Sequence, residues 1–214
     1  MTNYDELYVL SGLLGDDDYQ LQINADYDTQ VAVARGEMLE FDKVPSSEWA
    51  SVGSGLEPDI VRTTVLPTIV LGERAVSMLE NITGWKPVAI CGPGSRRSDA
   101  TSKKYSVMSI TGRAGPVDPT RSEVSNDADS QEAEVVGLYF LDDYWDGSDV
   151  FVLKESAFFV FVTERARLIF EEICGVHGCL EFTSLTRFRQ HRLGMQSLVE
   201  AQIRDGIRSS RWKW

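Results

Sequence analysis

Histidine and cysteine are scarce in this chain of 214 residues, with two of the first and three of the second. Three cysteines (Cys91, Cys174 and Cys179) are too few, and odd in number, for a disulfide framework, and they suit a reducing cytosol. Long apolar runs are missing too. The longest, Ala157–Val162, has the length of a strand, against the ~20 residues a membrane helix needs. The opening Met1-Thr2-Asn3-Tyr4-Asp5-Glu6 has no basic stretch, so a secretory signal is not expected. Compositional bias is also absent: 43% of residues are hydrophobic and 25% charged, which excludes fibrous and wholly disordered classes. The length allows one domain or two small lobes and is enough to bury roughly 70% of the unfolded surface.

Positive charge is in short supply and unevenly placed. The net charge is −12. Residues 1–34 hold seven acids and no Lys or Arg, and residues 118–149 hold ten acids and one Arg. Residues 186–214 reverse the sign, with seven Lys/Arg and two acids. The acidic body repels nucleic acid and anionic membrane and attracts cationic partners. A plain solubilising role accounts equally well for the total, though less well for the concentration between 118 and 149.

Three stretches read as loops: 45–58, the Gly/Pro/Ser-rich 92–102, and the acidic 118–134. Short β-like runs lie between them, at Leu7–Leu10, Tyr19–Ile23, Tyr105–Ile110, Val135–Leu141, Val150–Leu153 and Phe158–Val162. Two helices are expected, at Glu73–Gly84 and Glu164–Gly175, and six of their twelve positions are identical at an offset of 91. Ala75, Met78, Leu79 and Ile82 share one face, as do Ala166, Ile169, Phe170 and Ile173. Each helix opens on Glu, which suits the positive helix end, and closes on a Gly suited to a left-handed cap. Each follows an apolar run and precedes another (Val88–Ile90, Leu180–Phe182). Duplication and convergence on one local solution explain this equally well. A C-terminal helix is expected over Leu193–Arg208, with Trp212-Lys213-Trp214 docked on the core. The fold class is therefore α+β: a mixed sheet with two strand–helix–strand units and a C-terminal helix. The chain divides into an N-terminal lobe, 1–104, and a C-terminal module, 105–214, unless both form one compact domain.

Catalytic signatures are hard to find. No Gly-x-Ser-x-Gly elbow exists, and neither His177 nor His191 lies in a known pattern. Ser51-Val52-Gly53-Ser54-Gly55 reads as a turn. Cys174-Gly175-Val176-His177-Gly178-Cys179 offers soft ligands at irregular spacing and reads as a helix cap with small thiols rather than zinc. Gly92-Pro93-Gly94 lacks the Gly-Lys-Ser/Thr end of a phosphate loop. No cofactor and no metal is expected.

Asp142-Asp143-Tyr144-Trp145-Asp146-Gly147-Ser148-Asp149 packs four carboxylates and two aromatics into eight residues. As a calcium loop it fails at Tyr144 and Leu153, the third and twelfth positions. Tyr and Trp give rigid contact area, and carboxylates steer and pair with Lys or Arg. Asp142, Asp143, Tyr144, Trp145, Asp146 and Asp149 are therefore candidates for a protein-binding patch. The competing reading, of equal weight, has Trp145 packed inward and the acids solvating a hairpin. Asp16, Asp17 and Asp18 form a second candidate patch, or a solvated turn.

The order of features over residues 100–185 resembles a family of immunity proteins from bacterial polymorphic toxin systems, whose shared module was long labelled only as a domain of unknown function. The resemblance is carried by Tyr105–Ile110, Val117-Asp118-Pro119, Arg121-Ser122-Glu123 and Gly147-Ser148-Asp149-Val150-Phe151-Val152-Leu153. It continues through Val160-Phe161-Val162-Thr163-Glu164-Arg165 and Gly178-Cys179-Leu180-Glu181-Phe182, and more faintly through Leu7–Ser11. The basic tail and the acidic 118–134 stretch are not part of that pattern. The resemblance implies a cytoplasmic, non-catalytic inhibitor that binds a cognate toxin domain. The acidic body adds the expectation of a basic surface on that partner, with no nucleic acid and no membrane as partner; the oligomeric state stays open. The alternatives are an adaptor or effector-loading chaperone of a secretion system and, third, a hydrolase using Cys174 or His177.

Overall fold

The computed structural model describes residues 2–13, 20–21, 26–37, 51–52, 59–63, 68–89, 105–125, 133–154, 156–175 and 180–204. In chain order its elements are β1 (Leu7–Leu13), β2 (Gln20–Leu21), α1 (Tyr27–Ala34), β3 (Ser51–Val52), β4 (Ile60–Thr63), β5 (Ile69–Gly72), α2 (Glu73–Met78) and β6 (Trp85–Ala89). They continue with β7 (Tyr105–Ile110), β8 (Gly112–Ala114), β9 (Glu123–Val124), β10 (Glu134–Val136), β11 (Val150–Leu153), β12 (Ser156–Thr163), α3 (Glu164–Cys174), β13 (Leu180–Ser184), β14 (Arg189–His191) and α4 (Arg192–Arg204).

The fold is α+β, with the two expected strand–helix–strand units, β5–α2–β6 and β12–α3–β13, and a C-terminal helix. The units lie on different sheets, one ordered β3-β2-β4-β5-β7-β6 and the other β13-β1-β12-β11-β8; β14-β10-β9 makes a third. Both large sheets are mixed: β2 runs parallel to β4, and β8 parallel to β11.

The two large sheets repeat one arrangement. Each carries an antiparallel pair (β4–β5, β11–β12), then a helix, then an edge strand (β6, β13) separated from the pair by one inserted antiparallel strand. Ile60 faces Leu71 as Val150 faces Val162. The inserted strands are exchanged. β7, which precedes the β11–β12 pair in the chain, lies between β5 and β6, and β1, which precedes the β4–β5 pair, lies between β12 and β13. Their registers agree: Ser106 pairs with Leu71 and Ala89, and Tyr8 pairs with Val162 and Ser184. The repeats follow one another along the chain, while in space they interlock through reciprocal strands.

Burial explains the strand sequences. Ile69–Gly72 and Val150–Leu153 are buried at every position, because both faces of their sheets are covered. One core holds Ile69, Leu71, Met108 and Ile110 of the first sheet and Val150, Val152, Val160 and Val162 of the second, with Leu79 and Phe170 from the two helical units. The opposite face of the second sheet, with Val9, Phe151 and Phe161, joins Val135 of β10 and Met195 and Leu198 of α4 in a second core. On the first sheet, α1 covers that face, where Ser109 Oγ donates to the Val33 carbonyl at 2.6 Å.

The helix expected over 73–84 ends at Met78. The chain tightens there through Glu80 N to Ser77 O and Ile82 N to Leu79 O, keeping Leu79 and Ile82 buried. Thr83 and Gly84 then turn onto the other repeat: Val150 N donates to Thr83 O, and Thr111 N and Gly112 N both donate to Gly84 O. Gly84 has φ +88°, and its bare Cα lies against the Val150 carbonyl, which leaves no room for a side chain. α3 starts with Thr163 Oγ1 accepting from Ala166 N at 3.4 Å and stops at Gly175, φ +64°.

Candidate functional site

The acidic-aromatic loop connects the third sheet to β11. It begins at Leu141, makes a short 3-10 turn over Asp142–Tyr144, and reaches β11 through Gly147, whose φ is +78°. Its carboxylates have four different environments.

Asp142 is pinned. Its Oδ1 accepts from the Tyr4 hydroxyl at 2.8 Å and its Oδ2 from Thr2 N at 3.3 Å, and Arg121 Nη1 lies 3.8 Å away. The Tyr4 hydroxyl also reaches the Phe140 carbonyl. Arg121 stacks over Tyr4 at 4.4 Å and over Tyr139 at 4.8 Å. Burial works against the charge of Asp142, but the hydrogen bonds from Tyr4 and Thr2, helped by Arg121, outweigh it and hold the carboxyl below its ordinary pKa. Burial, reinforced by Asp142, pushes the Tyr4 hydroxyl well above the usual tyrosine value.

Asp146 holds the other end of the loop. Its Oδ2 accepts from Arg113 N at 2.8 Å, its Oδ1 accepts from Ser148 N at 3.0 Å, and its own N donates to the Arg113 carbonyl. The Arg113 guanidinium donates to the carbonyls of Ile110, Gly112 and Arg35, and burial, then the charge of Arg35, lowers its pKa.

Asp149 is removed from the surface, at 8% exposure. Thr83 N, Thr83 Oγ1 and Arg165 Nη1 donate to its Oδ2 at 3.0, 3.0 and 3.3 Å, and Thr163 Oγ1 donates to its Oδ1 at 2.9 Å. Buried and already accepting from four donors, it joins the two repeats instead of offering contact surface. This corrects its place in the expected patch. Trp145 follows the inward alternative: its ring lies 5.3 Å from Phe151 and 6.2 Å from Phe140.

Asp143 and Tyr144 are what the loop presents. Both are exposed, Tyr144 at 53%, with Lys154 Nζ 5.9 Å over its ring. The loop therefore displays an acid and a phenol between two fixed posts, Asp142 and Asp146. Asp16, Asp17 and Asp18 lie outside the described residues, as do Cys91, His177, Cys179 and Trp212–Trp214.

Cys174 is disulfide-bonded. The reading of Cys174 as a small thiol at the helix cap is corrected, and Cys174 has no free thiol to act as a nucleophile. His191 is exposed, and its Nδ1 accepts from Leu193 N at 3.3 Å, capping the start of α4.

Sequence reasoning did not single out a groove of about 270 Å³ lined by Val76, Ser77, Glu80, Ile82, Trp85 and Pro87. It lies between α2 and the edge strand β6. The alternation of Trp85 and Pro87 along one strand face, beside the Val76–Glu80 pair one turn apart, is the signal that could have found it. Among the described residues, no helix is long and apolar enough to cross a membrane. No protein-family model matches the chain, and no curated protein matches it.

Proposed function

We propose that this protein is an inhibitor that neutralises a cognate bacterial toxin by tight stoichiometric binding, without turning over a substrate. The observation that carries the reading is the preorganised loop. Asp142 and Asp146 are each held by three or more groups, so Asp143 and Tyr144 are presented with little conformational entropy left to lose on binding. The net charge of −12 supports a cationic target, since opposite charge raises the association rate. A toxin acting on nucleic acid or nucleotides carries such a surface, because its substrate is anionic. The partner in this reading is a protein, with neither nucleic acid nor membrane, and the place of action is the cytoplasm. The Cys174 disulfide is the observation that pulls against that compartment, where thiols are ordinarily reduced.

The test is co-production with the product of the adjacent gene. Protected growth and a co-eluting complex of fixed stoichiometry are expected. Unimpeded killing, or multiple-turnover chemistry by the pure chain, overturns the reading. Raised abundance or export of a still-active partner would instead indicate an adaptor.

A further inference from the structure

The exchanged repeats give an internal standard for each surface, and one surface falls short of it. On α3, Arg167 serves two acids. Its Nε and Nη2 donate to Glu164 Oε2 and Oε1, both at 2.7 Å, and its Nη1 pairs with Glu171. The same guanidinium stacks 4.9 Å over the Tyr8 ring. The 91-residue offset puts Glu73, Val76 and Glu80 where Glu164, Arg167 and Glu171 stand, and the strand register puts Ser106 where Tyr8 stands. The first repeat thus keeps both acids and lacks both the arginine and the ring.

The groove opens at the position of the missing arginine, with Val76 in its lining. Its wall is rigid: the Trp85 indole N–H donates to the Leu79 carbonyl at 3.3 Å, and Ile82 is buried beside it. Val76 and Pro87 complete the apolar lining, and Glu80 stands exposed at the rim. Glu73 has partners of its own, whereas no described residue pairs with the Glu80 carboxylate.

We infer that the groove docks an arginine side chain of the partner protein, which takes the place on α2 that Arg167 holds on α3. Glu80 receives the guanidinium, and Trp85, Val76 and Pro87 receive the aliphatic stem. Arginine fits better than lysine, because its planar fork meets a carboxylate with two parallel donors and stacks on aromatic faces. The stem covers apolar surface while the head stays at the rim. This rests on the proposed binding function and assigns the chemistry of one contact within it.

The probe is the peptide acetyl-Gly-Leu-Arg-Leu-Gly-amide, with its citrulline counterpart, titrated into the full chain at physiological salt. Binding is read from the Trp85 indole N–H resonance. The arginine peptide is expected to shift that resonance saturably, and loss of the charge in citrulline is expected to weaken binding about tenfold or more. Glu80→Gln weakens it similarly. Val76→Arg abolishes it by supplying the arginine in cis. Glu80→Gln is a surface change that settles the matter should Val76→Arg not fold. Absence of a Trp85 shift in the wild type, or a shift that persists in both variants, overturns the inference.

The co-production assay separates this from the inhibitor reading. Loss of protection by folded Val76→Arg supports the groove. Full protection by Val76→Arg overturns the groove and leaves the inhibitor reading standing. A peptide-induced Trp85 shift in a chain that protects nothing overturns the inhibitor reading and leaves the groove.

Discussion

Arg74 and Arg165 stand 91 positions apart and make the same contact: Arg74 Nη1 meets Asp59 Oδ2 at 3.0 Å, and Arg165 Nη1 meets Asp149 Oδ2 at 3.3 Å. The two aspartates also match in their backbones, since Asp59 O accepts from Gly72 N and Asp149 O from Thr163 N. Both arginines are well exposed, at 61% and 58% of the side chain, so each pair in itself contributes little. Asp149 also receives Thr83 and Thr163 and so links the two repeats. Arg74→Ala and Arg165→Ala should each cost less than about 1 kcal/mol. Asp149→Ala should cost roughly 3 kcal/mol, because it removes four hydrogen bonds accepted by a buried, charged carboxylate. For a chain of this size that is about 6–12 °C in Tm. A thermal scan that finds Asp149→Ala no worse than Arg165→Ala would remove the joint between repeats from this account.

Much of this relation was legible in the sequence, and one part was not. The identities Glu73/Glu164, Arg74/Arg165 and Gly84/Gly175 announced two like units, and Tyr105–Ile110 and Val150–Leu153 are strands at the expected bounds. Strand exchange leaves no such trace. β1 and β7 have ordinary apolar patterns, and which neighbour each pairs with is settled by long-range register that local propensity does not encode. α1 escaped because Tyr27–Ala34 has no amphipathic stripe, although Asp26, whose side chain accepts from Thr29 N at 2.8 Å, is a readable start signal. In the candidate loop, composition identified the acids but could not distinguish the pinned Asp142, the buried Asp149 and the exposed Asp143. Their partners, Tyr4, Thr2 and Thr83, lie more than sixty residues away in the chain.

The disulfide at Cys174 gives a direct count. With one bond among three cysteines, a thiol reagent applied to the unfolded, unreduced chain should react at one site, rising to three after reduction. Reduction should also lower Tm, because the bond restricts the unfolded chain. Three reactive thiols before reduction, in protein taken from a reducing cytosol under alkylation, would show that the bond does not form where the chain is made.

Acid should loosen the second repeat through Glu164. The Arg167 hydrogen bond, working against partial burial and helped by Tyr8, holds its carboxyl below the ordinary value of 4.5. A carboxyl whose folded pKa is lowered contributes stability that is present above its unfolded pKa and lost as pH falls through the folded one. Asp142, lowered from 3.8, acts in the same direction. Tm should therefore hold steady down to about pH 5 and fall below it. Glu164→Gln should start lower and show a shallower fall over that window. A parallel curve, displaced but equally steep, would mean that Glu164 carries none of the acid sensitivity.

The loop residues should divide by where they face. Trp145 contacts Phe140 and Phe151, and its indole nitrogen is buried without a hydrogen-bond partner among the described residues. Trp145→Ala should therefore act on folding, at about 3 kcal/mol or more, through the cavity it leaves. Tyr144 is exposed and touches the body of the protein through Lys154. Tyr144→Ala should leave Tm within about 1 °C, because a surface truncation removes little packing. Under the inhibitor reading it should instead speed dissociation from the partner about tenfold or more, as loss of a rigid aromatic contact does. Asp143→Asn should slow association at low salt and have little effect at high salt, since a rim charge acts on encounter more than on residence. Surface plasmon resonance on the complex, run beside thermal melts of the free variants, reads both axes at once. A Tyr144→Ala variant that melts and dissociates like the wild type would show that the two posts hold up nothing the partner uses.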